Sequence, residues 1–347
     1  MGSVSTESIE KLDRLLLNRL QQSFPLIAEP FRRIGEELGI KTEEVIERID
    51  NLKRRRILRQ ISAIFNTGAL GYQTSLIAVA VPENFIDRAV QIINAYPGVS
   101  HNYLRPSADF NIWFTIAVPP GQNMETIVKG LVDQAGGFPF IILPAIRKYK
   151  LAMVLDMVDE GEGETTSGST LTYSIANGSA QPATLSSMHI RIIRCVQEDL
   201  PVIERPFRLL SEKLGIKEAD LIEILNQWLK RGIIRRFAAI LNHREAGFMA
   251  NGMVVWFCPE DRIDIAGRRL ASFTEVSHCY HRPSHPRWPY NLYAMIHGRT
   301  VEKCHQIARI LADAIDNHDY RVLFSEKEFK KIRLKLFWDY EETGEKI

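Results

Sequence analysis

The string His-x-Tyr-x-Arg-Pro occurs twice in this chain, from His101 to Pro106 and again from His278 to Pro283. On a β-strand, residues two apart share a face, so the spacing predicts that His101, Tyr103 and Arg105 form one row and His278, Tyr280 and Arg282 another. Such a row suits proton chemistry on an anionic ligand. An imidazole titrates near neutral pH, a phenol donates a hydrogen bond, and a guanidinium fork binds a carboxylate through two bonds. A single histidine on a strand is ordinary, but here the trio persists while its neighbours diverge: Asn102 is replaced by Cys279 and Leu104 by His281. After the second trio, the stretch SHPRWPYN is longer than its counterpart SADFN and adds His285, Arg287 and Trp288. The expectation is a lid or wall over a large flat ligand, with His281 and Trp288 among the ligand-binding residues. His189, His243, His297, His305 and His318 stand outside the repeated pattern and carry no specific signal.

These rows belong to a larger repeat. The segment beginning FPLIAEPFRRIGEELGI at Phe24 returns as LPVIERPFRLLSEKLGI at Leu200, so that Pro30 reappears 176 positions later as Pro206. That interval is too long for a stacked array of small units and implies a duplicated domain pair, an internal pseudo-dimer. At 347 residues, each copy is long enough to hold two small domains. With 45% hydrophobic and 25% charged residues, the composition is that of a globular protein with real cores. Lys and Arg (44) nearly balance Asp and Glu (42), so no global field attracts polyanions and any anion site must be built locally. The four cysteines lie singly, without metal-ligand spacing, which fits a reducing compartment and predicts no protein-held metal. The N-terminal stretch lacks the apolar core of a secretion signal, and no apolar run reaches the length of a membrane span. A cytoplasmic protein is expected.

The elements that must position the rows can be read in each copy. Leu12, Leu15, Leu16 and Leu20 recur at helical spacing, Pro30 opens a second helix ending near Gly39, and Thr42 is expected to cap a third. The alternating stretches ILRQISAIFN and IIRRFAAILN then predict a β-ribbon in each copy, giving a winged helix-turn-helix over 1–66 and again over 188–243. The remainder of each copy reads as βαββαβ, a ferredoxin-like unit over 67–155 and over 244–347. FPFIILPAIRKYKL is expected to be its last strand in the first copy. Between the copies, 156–187 is rich in Gly, Ser, Thr and acidic residues and reads as a flexible linker. The fold class is therefore α+β with a tandem duplication.

A helix-turn-helix suggests DNA, but a reader needs positive charge on its third helix. Here that helix presents Glu43, Glu44, Glu47 and Asp50 in one copy and Glu218, Asp220 and Glu223 in the other. Acidic residues early in a helix suit its dipole, and they also repel phosphates, which weighs against DNA. The cations gather later, and Arg59, Arg235 and Arg236 on the predicted strands are candidates to hold carboxylates.

The winged helix-turn-helix plus ferredoxin-like layout resembles the Lrp/AsnC regulators over nearly the whole chain. Together with RRRILRQISAIFN and RGIIRRFAAILN, the His-x-Tyr-x-Arg-Pro strings resemble the siroheme decarboxylases, in which two related halves, separate or fused, assemble the enzyme. The resemblance implies siroheme as substrate, an iron macrocycle bearing acetates and propionates, and 12,18-didecarboxysiroheme as product, with no external cofactor because the iron travels with the substrate. His101 and His278 would then supply the acid and acetate-orienting functions, with Tyr103 and Tyr280 hydrogen-bonding the reacting group. Arg105 and Arg282, helped by Arg59, Arg235 and Arg236, would anchor the carboxylates that stay. A role for one histidine as axial iron ligand is left open, as is assembly into a higher oligomer. A ligand-sensing transcription regulator and a non-catalytic tetrapyrrole carrier are the alternative functions.

Overall fold

The computed structural model describes residues 10–106, 109–150, 184–241, 250–298 and 300–340. The first copy runs α1 (Lys11–Gln22), α2 (Pro30–Leu38), α3 (Thr42–Arg54), β1 (Leu58–Phe65), β2 (Gln73–Val79), α4 (Ile86–Ala95), β3 (Val99–Leu104), β4 (Ile112–Val118), α5 (Met124–Ala135), β5 (Phe140–Pro144) and β6 (Arg147–Lys150). The second repeats it as α6 (Ser187–Val196), α7 (Pro206–Leu214), α8 (Glu218–Lys230), β7 (Ile234–Leu241), β8 (Ala250–Trp256), α9 (Ile263–Ala271), β9 (Val276–His281), β10 (Leu292–Gly298), α10 (Val301–Ala314), β11 (Tyr320–Phe324) and β12 (Lys327–Lys331). The described residues form two compact units, divided in the first copy between Asn66 and Thr67. The expected linker, 156–187, lies outside the described residues up to 183.

The first unit contains the helix-turn-helix parts of both copies. Local signals act alike in each: Pro30 and Pro206 sit at the first turn of α2 and α7, and Gly39 and Gly215 close those helices in the left-handed region at φ 71. Thr42 is the first residue of α3 rather than its cap; the cap position is Lys41, whose side chain makes no capping bond. The wing also differs from expectation. Each copy contributes one strand, and the ribbon is β1 paired antiparallel with β7. Two reciprocal bonds extend the pairing: Phe24 N–H donates to Phe237 O at 2.8 Å, and Leu200 N–H donates to Ile61 O at 2.8 Å. A lone strand leaves its backbone groups unpaired, so each copy completes the other. Phe24, Phe207 and Phe237 pack as edge-on and tilted rings beneath this ribbon.

The second unit contains two five-stranded sheets, ordered β12-β3-β4-β2-β5 and β11-β8-β10-β9-β6. Four strands of each follow ferredoxin-like order, and the fifth comes from the other copy. The segment expected as one last strand is thus two: β5 ends its own sheet, and β6 crosses to pair with β9, just as β12 crosses to β3. A lysine fastens each crossing strand. Lys150 Nζ donates to Phe273 O at 2.7 Å, and Lys330 Nζ donates to Asn94 O at 2.6 Å. One face of each sheet packs on its own helices. The other faces meet, burying Leu76, Trp113 and Leu143 of the first copy against Val255, Trp288 and Tyr293 of the second. Full burial contributes about 1.5–3 kcal/mol for each large apolar side chain, so this seam is a core of its own.

On the second sheet, the crossing strand lies over Gly267 of α9. A Cβ there would stand 2.2 Å from the Tyr149 ring, whose hydroxyl donates to Asp264 at 2.5 Å. Substituting Gly267→Val must therefore displace β6. We expect a stability loss of about 1–3 kcal/mol in urea unfolding, with Gly130→Ala inside α5, where nothing lies within 4 Å of the added Cβ, as the control expected to gain up to about 1 kcal/mol from helix propensity.

Candidate active site

The strand alternation that suggested the rows is present. In β3, Asn102 is buried on the helix side, while His101 and Tyr103 are half-buried on the opposite face; in β9, Cys279 is buried on the helix side and His278 and Tyr280 are half-buried opposite it. Both rows lie on the sheet faces that meet each other: Tyr103 pairs with Trp113 and Tyr280 with Tyr293, both members of the seam. The rows come close enough that charge on His101 disfavours charge on His278.

Each row runs from a buried arginine to a half-buried histidine. Arg105 Nη1 donates to Leu323 O of the second copy at 2.5 Å, and Arg282 Nη1 donates to Leu143 O of the first. The guanidinium of Arg282 stands 4.6 Å from the Tyr280 ring centroid and that of Arg105 5.4 Å from the Tyr103 ring. Neither arginine bonds a carboxylate among the described residues, and the Nε of both is buried without a partner. Burial lowers both pKa values, that of Arg105 to about 10, and a guanidinium keeps its charge in proteins. Two buried cations with open donors, and no acidic partner among the described residues, have the chemistry to accept anions.

Burial also pushes Tyr103 up to about 12, with Glu328 adding to the rise and Arg105 opposing it, so its hydroxyl stays protonated and can donate. His101 is lowered by burial first and by Lys331 second, against a smaller opposing pull from Glu328. His278 is lowered to about 4, by burial and then by His297, His101 and Lys150. On the exchanged strands, Lys331 is in register with His101 and Glu328 with Tyr103, whereas Lys148 is in register with Tyr280. The row strings give no hint of these flanking charges. The related segments RKYK and KEFK carried the signal, but only the crossing reveals which row each one flanks.

Two expected ligand contacts are corrected. His281 is buried on the helix-side face of β9, away from His278 and Tyr280, because adjacent strand residues point to opposite faces. Trp288 is not an open wall. It is fully buried in the seam, its ring centroid 5.1 Å from that of Trp113 and its Nε1 donating to Tyr293 Oη at 2.8 Å. Arg287 of that longer loop is exposed, its guanidinium 5.1 Å from the Phe110 ring centroid. Arg59 and Arg235 are exposed and Arg236 half-buried on the ribbon of the first unit. On α3 of that unit, Glu43, Glu47 and Asp50 are exposed, and Arg48 is bound by Glu10, Asp13 and Glu44. Among the described residues no group of three His, Cys, Asp or Glu side chains converges as metal ligands, and no helix is long and apolar enough to cross a membrane.

The depressed histidines set a pH dependence. Unfolded His278 takes up a proton near its ordinary pKa of 6.5, whereas the folded one resists until about 4. Stability therefore falls as pH drops from about 6.5 towards 4, by up to about 3 kcal/mol from this group. In denaturant titrations, His278→Gln is expected to flatten the loss over that interval.

The geometry can be set beside known proteins. Residues 69–150 and 245–330 match the model of an AsnC-like ligand binding domain. Residues 13–59 and 189–235 match that of a siroheme decarboxylase NirDL-like HTH domain. A siroheme decarboxylase of Hydrogenobacter thermophilus is 36% identical over 93% of this chain and 94% of its own. The siroheme decarboxylase beta subunit of Methanosarcina barkeri is 42% identical over 42% of this chain, yet 97% of its own length. A crystal structure of the siroheme decarboxylase NirDL superimposes with a TM-score of 0.77 at 33% identity, covering 95% of each chain. Another, in complex with an iron-uroporphyrin III analogue, gives a TM-score of 0.75 at 32% identity over 94% of each. With both copies matched along nearly their whole length, the chain belongs to the siroheme decarboxylase family.

Proposed function

We propose that this protein decarboxylates siroheme, removing CO2 from the C12 and C18 acetates to yield 12,18-didecarboxysiroheme, as a carboxy-lyase. The observation that carries the reading is the pair of opposed His-Tyr-Arg rows, each ending in a buried arginine with no carboxylate partner among the described residues. A substrate with many carboxylates supplies the anions this site lacks.

Loss of CO2 from an acetate leaves the bond's electron pair on the methylene carbon, conjugated with the pyrrole ring, and a proton completes the methyl group. Arg105 and Arg282 hold carboxylates that are kept. Tyr103, kept protonated, and Tyr280 donate hydrogen bonds to the reacting group or its neighbour. His101 and His278 supply the proton and orient the acetate. Ser100 Oγ lies 3.0 Å from His101 Nδ1 and Ser277 Oγ 3.0 Å from His278 Nδ1, which leaves Nε2 of each ring for chemistry. Burial disfavours a reacting carboxylate relative to neutral CO2, which lowers the barrier.

The reaction is redox-neutral, so the activity requires no external cofactor; the iron is part of the substrate. The reading further places the protein in the cytoplasm, in the supply of haem d1 or of another haem, and allows the fused pseudo-dimer to assemble further. Anaerobic incubation with siroheme tests it by mass spectrometry. The expected product is lighter by two CO2 units, and His101→Ala and His278→Ala should each slow at least one of the two losses by about 100-fold or more. A spectral change without mass loss would identify a carrier, and a salt-dependent shift of DNA without mass loss a regulator.

A further inference from the structure

The two rows differ in what stands behind the histidine. In the first copy His101 Nδ1 meets Ser100 Oγ at 3.0 Å, and Ser100 Oγ meets Thr115 Oγ1 at 2.9 Å; beyond the ring, this short path consists of hydroxyls. In the second copy His278 Nδ1 meets Ser277 Oγ at 3.0 Å, Ser277 Oγ meets His297 Nε2 at 2.7 Å, and His297 Nδ1 meets Asn251 Oδ1 at 2.5 Å. Ser277 is buried, His297 half-buried and Asn251 exposed, so the path leads from the site towards solvent. His297 occupies the β10 position that holds Ala117 in β4, and it pairs with Asn251 as Ala117 pairs with Thr74. The second copy therefore carries a titratable group behind a row that is otherwise shared.

We propose that His297 is a positioning residue of the decarboxylation, relaying protons through Ser277 to Nδ1 of His278 while His278 donates from Nε2 to the substrate carbon. This inference rests on the decarboxylase reading. Asn251 Oδ1 accepts from Nδ1 of His297, which leaves Nε2 to exchange protons with Ser277. The relay requires His297 to start as an imidazolium with Nε2–H donating to Ser277 Oγ, the Ser277 hydroxyl to turn from Met295 O, 3.3 Å away, and donate to His278 Nδ1, and His278 to carry its proton on Nε2. The acetate C–C bond then breaks, its electron pair stays on the methylene carbon, and CO2 leaves. The Nε2 proton of His278 forms the new C–H bond as the Ser277 proton moves to His278 Nδ1 and the His297 proton moves to Ser277. His278 remains neutral at both ends of the step, its proton now on Nδ1; between turnovers one proton taken up from solvent at its Nε2, with return of the relayed protons through Ser277 to His297, restores the starting state. One proton is consumed per CO2, and no oxidant or reductant is required. The scheme also answers a difficulty of the site: burial, and then charge on His297, His101 and Lys150, oppose an imidazolium at His278. A tautomer exchange delivers a proton without that charged state.

The test compares wild type, His297→Ala and Ser277→Ala in anaerobic single turnovers with siroheme, following each CO2 loss by mass spectrometry and siroheme affinity by absorption. The alanine at 297 reproduces the side chain that the first copy carries at Ala117. We expect one of the two losses to slow by about 100-fold in both variants with affinity unchanged within twofold. Added imidazole should restore that step in His297→Ala and leave Ser277→Ala slow. Rates within twofold of wild type, a parallel loss of affinity and rate, or a slow His297→Ala that imidazole does not rescue would each overturn the relay. Wild-type turnover is the separate control, since its absence overturns the decarboxylase reading and the relay with it.

Discussion

Antiparallel pairing between the copies is the constraint on which the rest depends. β1 pairs with β7, β6 completes the sheet begun by β9, and β12 completes that begun by β3. Removing one copy would leave the other with an unpaired strand in the ribbon and an open edge on the β3 or β9 side, where buried N–H and C=O groups need partners. The same exchange orients the face that carries the rows. It places the histidine strand second from the edge in each sheet, flanks it with charges from the other copy, and sets the two rows on faces joined by a single aromatic seam. In a relative such as the Methanosarcina barkeri beta subunit, one such copy makes up nearly the whole chain.

Within that frame the site is electrostatically incomplete without ligand. Arg105 and Arg282 are buried, hold backbone carbonyls of the opposite copy and leave Nε unpaired. An isolated buried cation is unfavourable, and a bound carboxylate relieves that penalty. Burial opposes charge on His101 and His278 and would equally oppose charge on a carboxylate brought beside them, which is the environment the proposed reaction needs.

Much of this was legible in the residues. Pro30 and Gly39, with Pro206 and Gly215, bracket their helices by local chemistry, and the His-Tyr-Arg spacing shares a face because strand geometry requires it. Strand partners were not legible. ILRQISAIFN alternates as a strand whichever strand lies beside it, and a repeated sequence is equally consistent with pairing inside a copy and between copies. His281 could have been excluded by parity, standing one residue from Tyr280. Trp288 could not, because only the packing of two sheets shows that its loop turns inward. His297 gave no signal, since its importance lies in a serine and an asparagine on neighbouring strands.

The central claim is that neither copy holds the reaction by itself. Producing residues 1–155 and 184–347 as separate chains and assaying each alone, and the two assembled, for anaerobic conversion of siroheme tests it most directly. The account predicts turnover by the 1:1 assembly and none by either chain alone. Decarboxylation by a single copy, or an assembled pair that binds siroheme and leaves its mass unchanged, would contradict it.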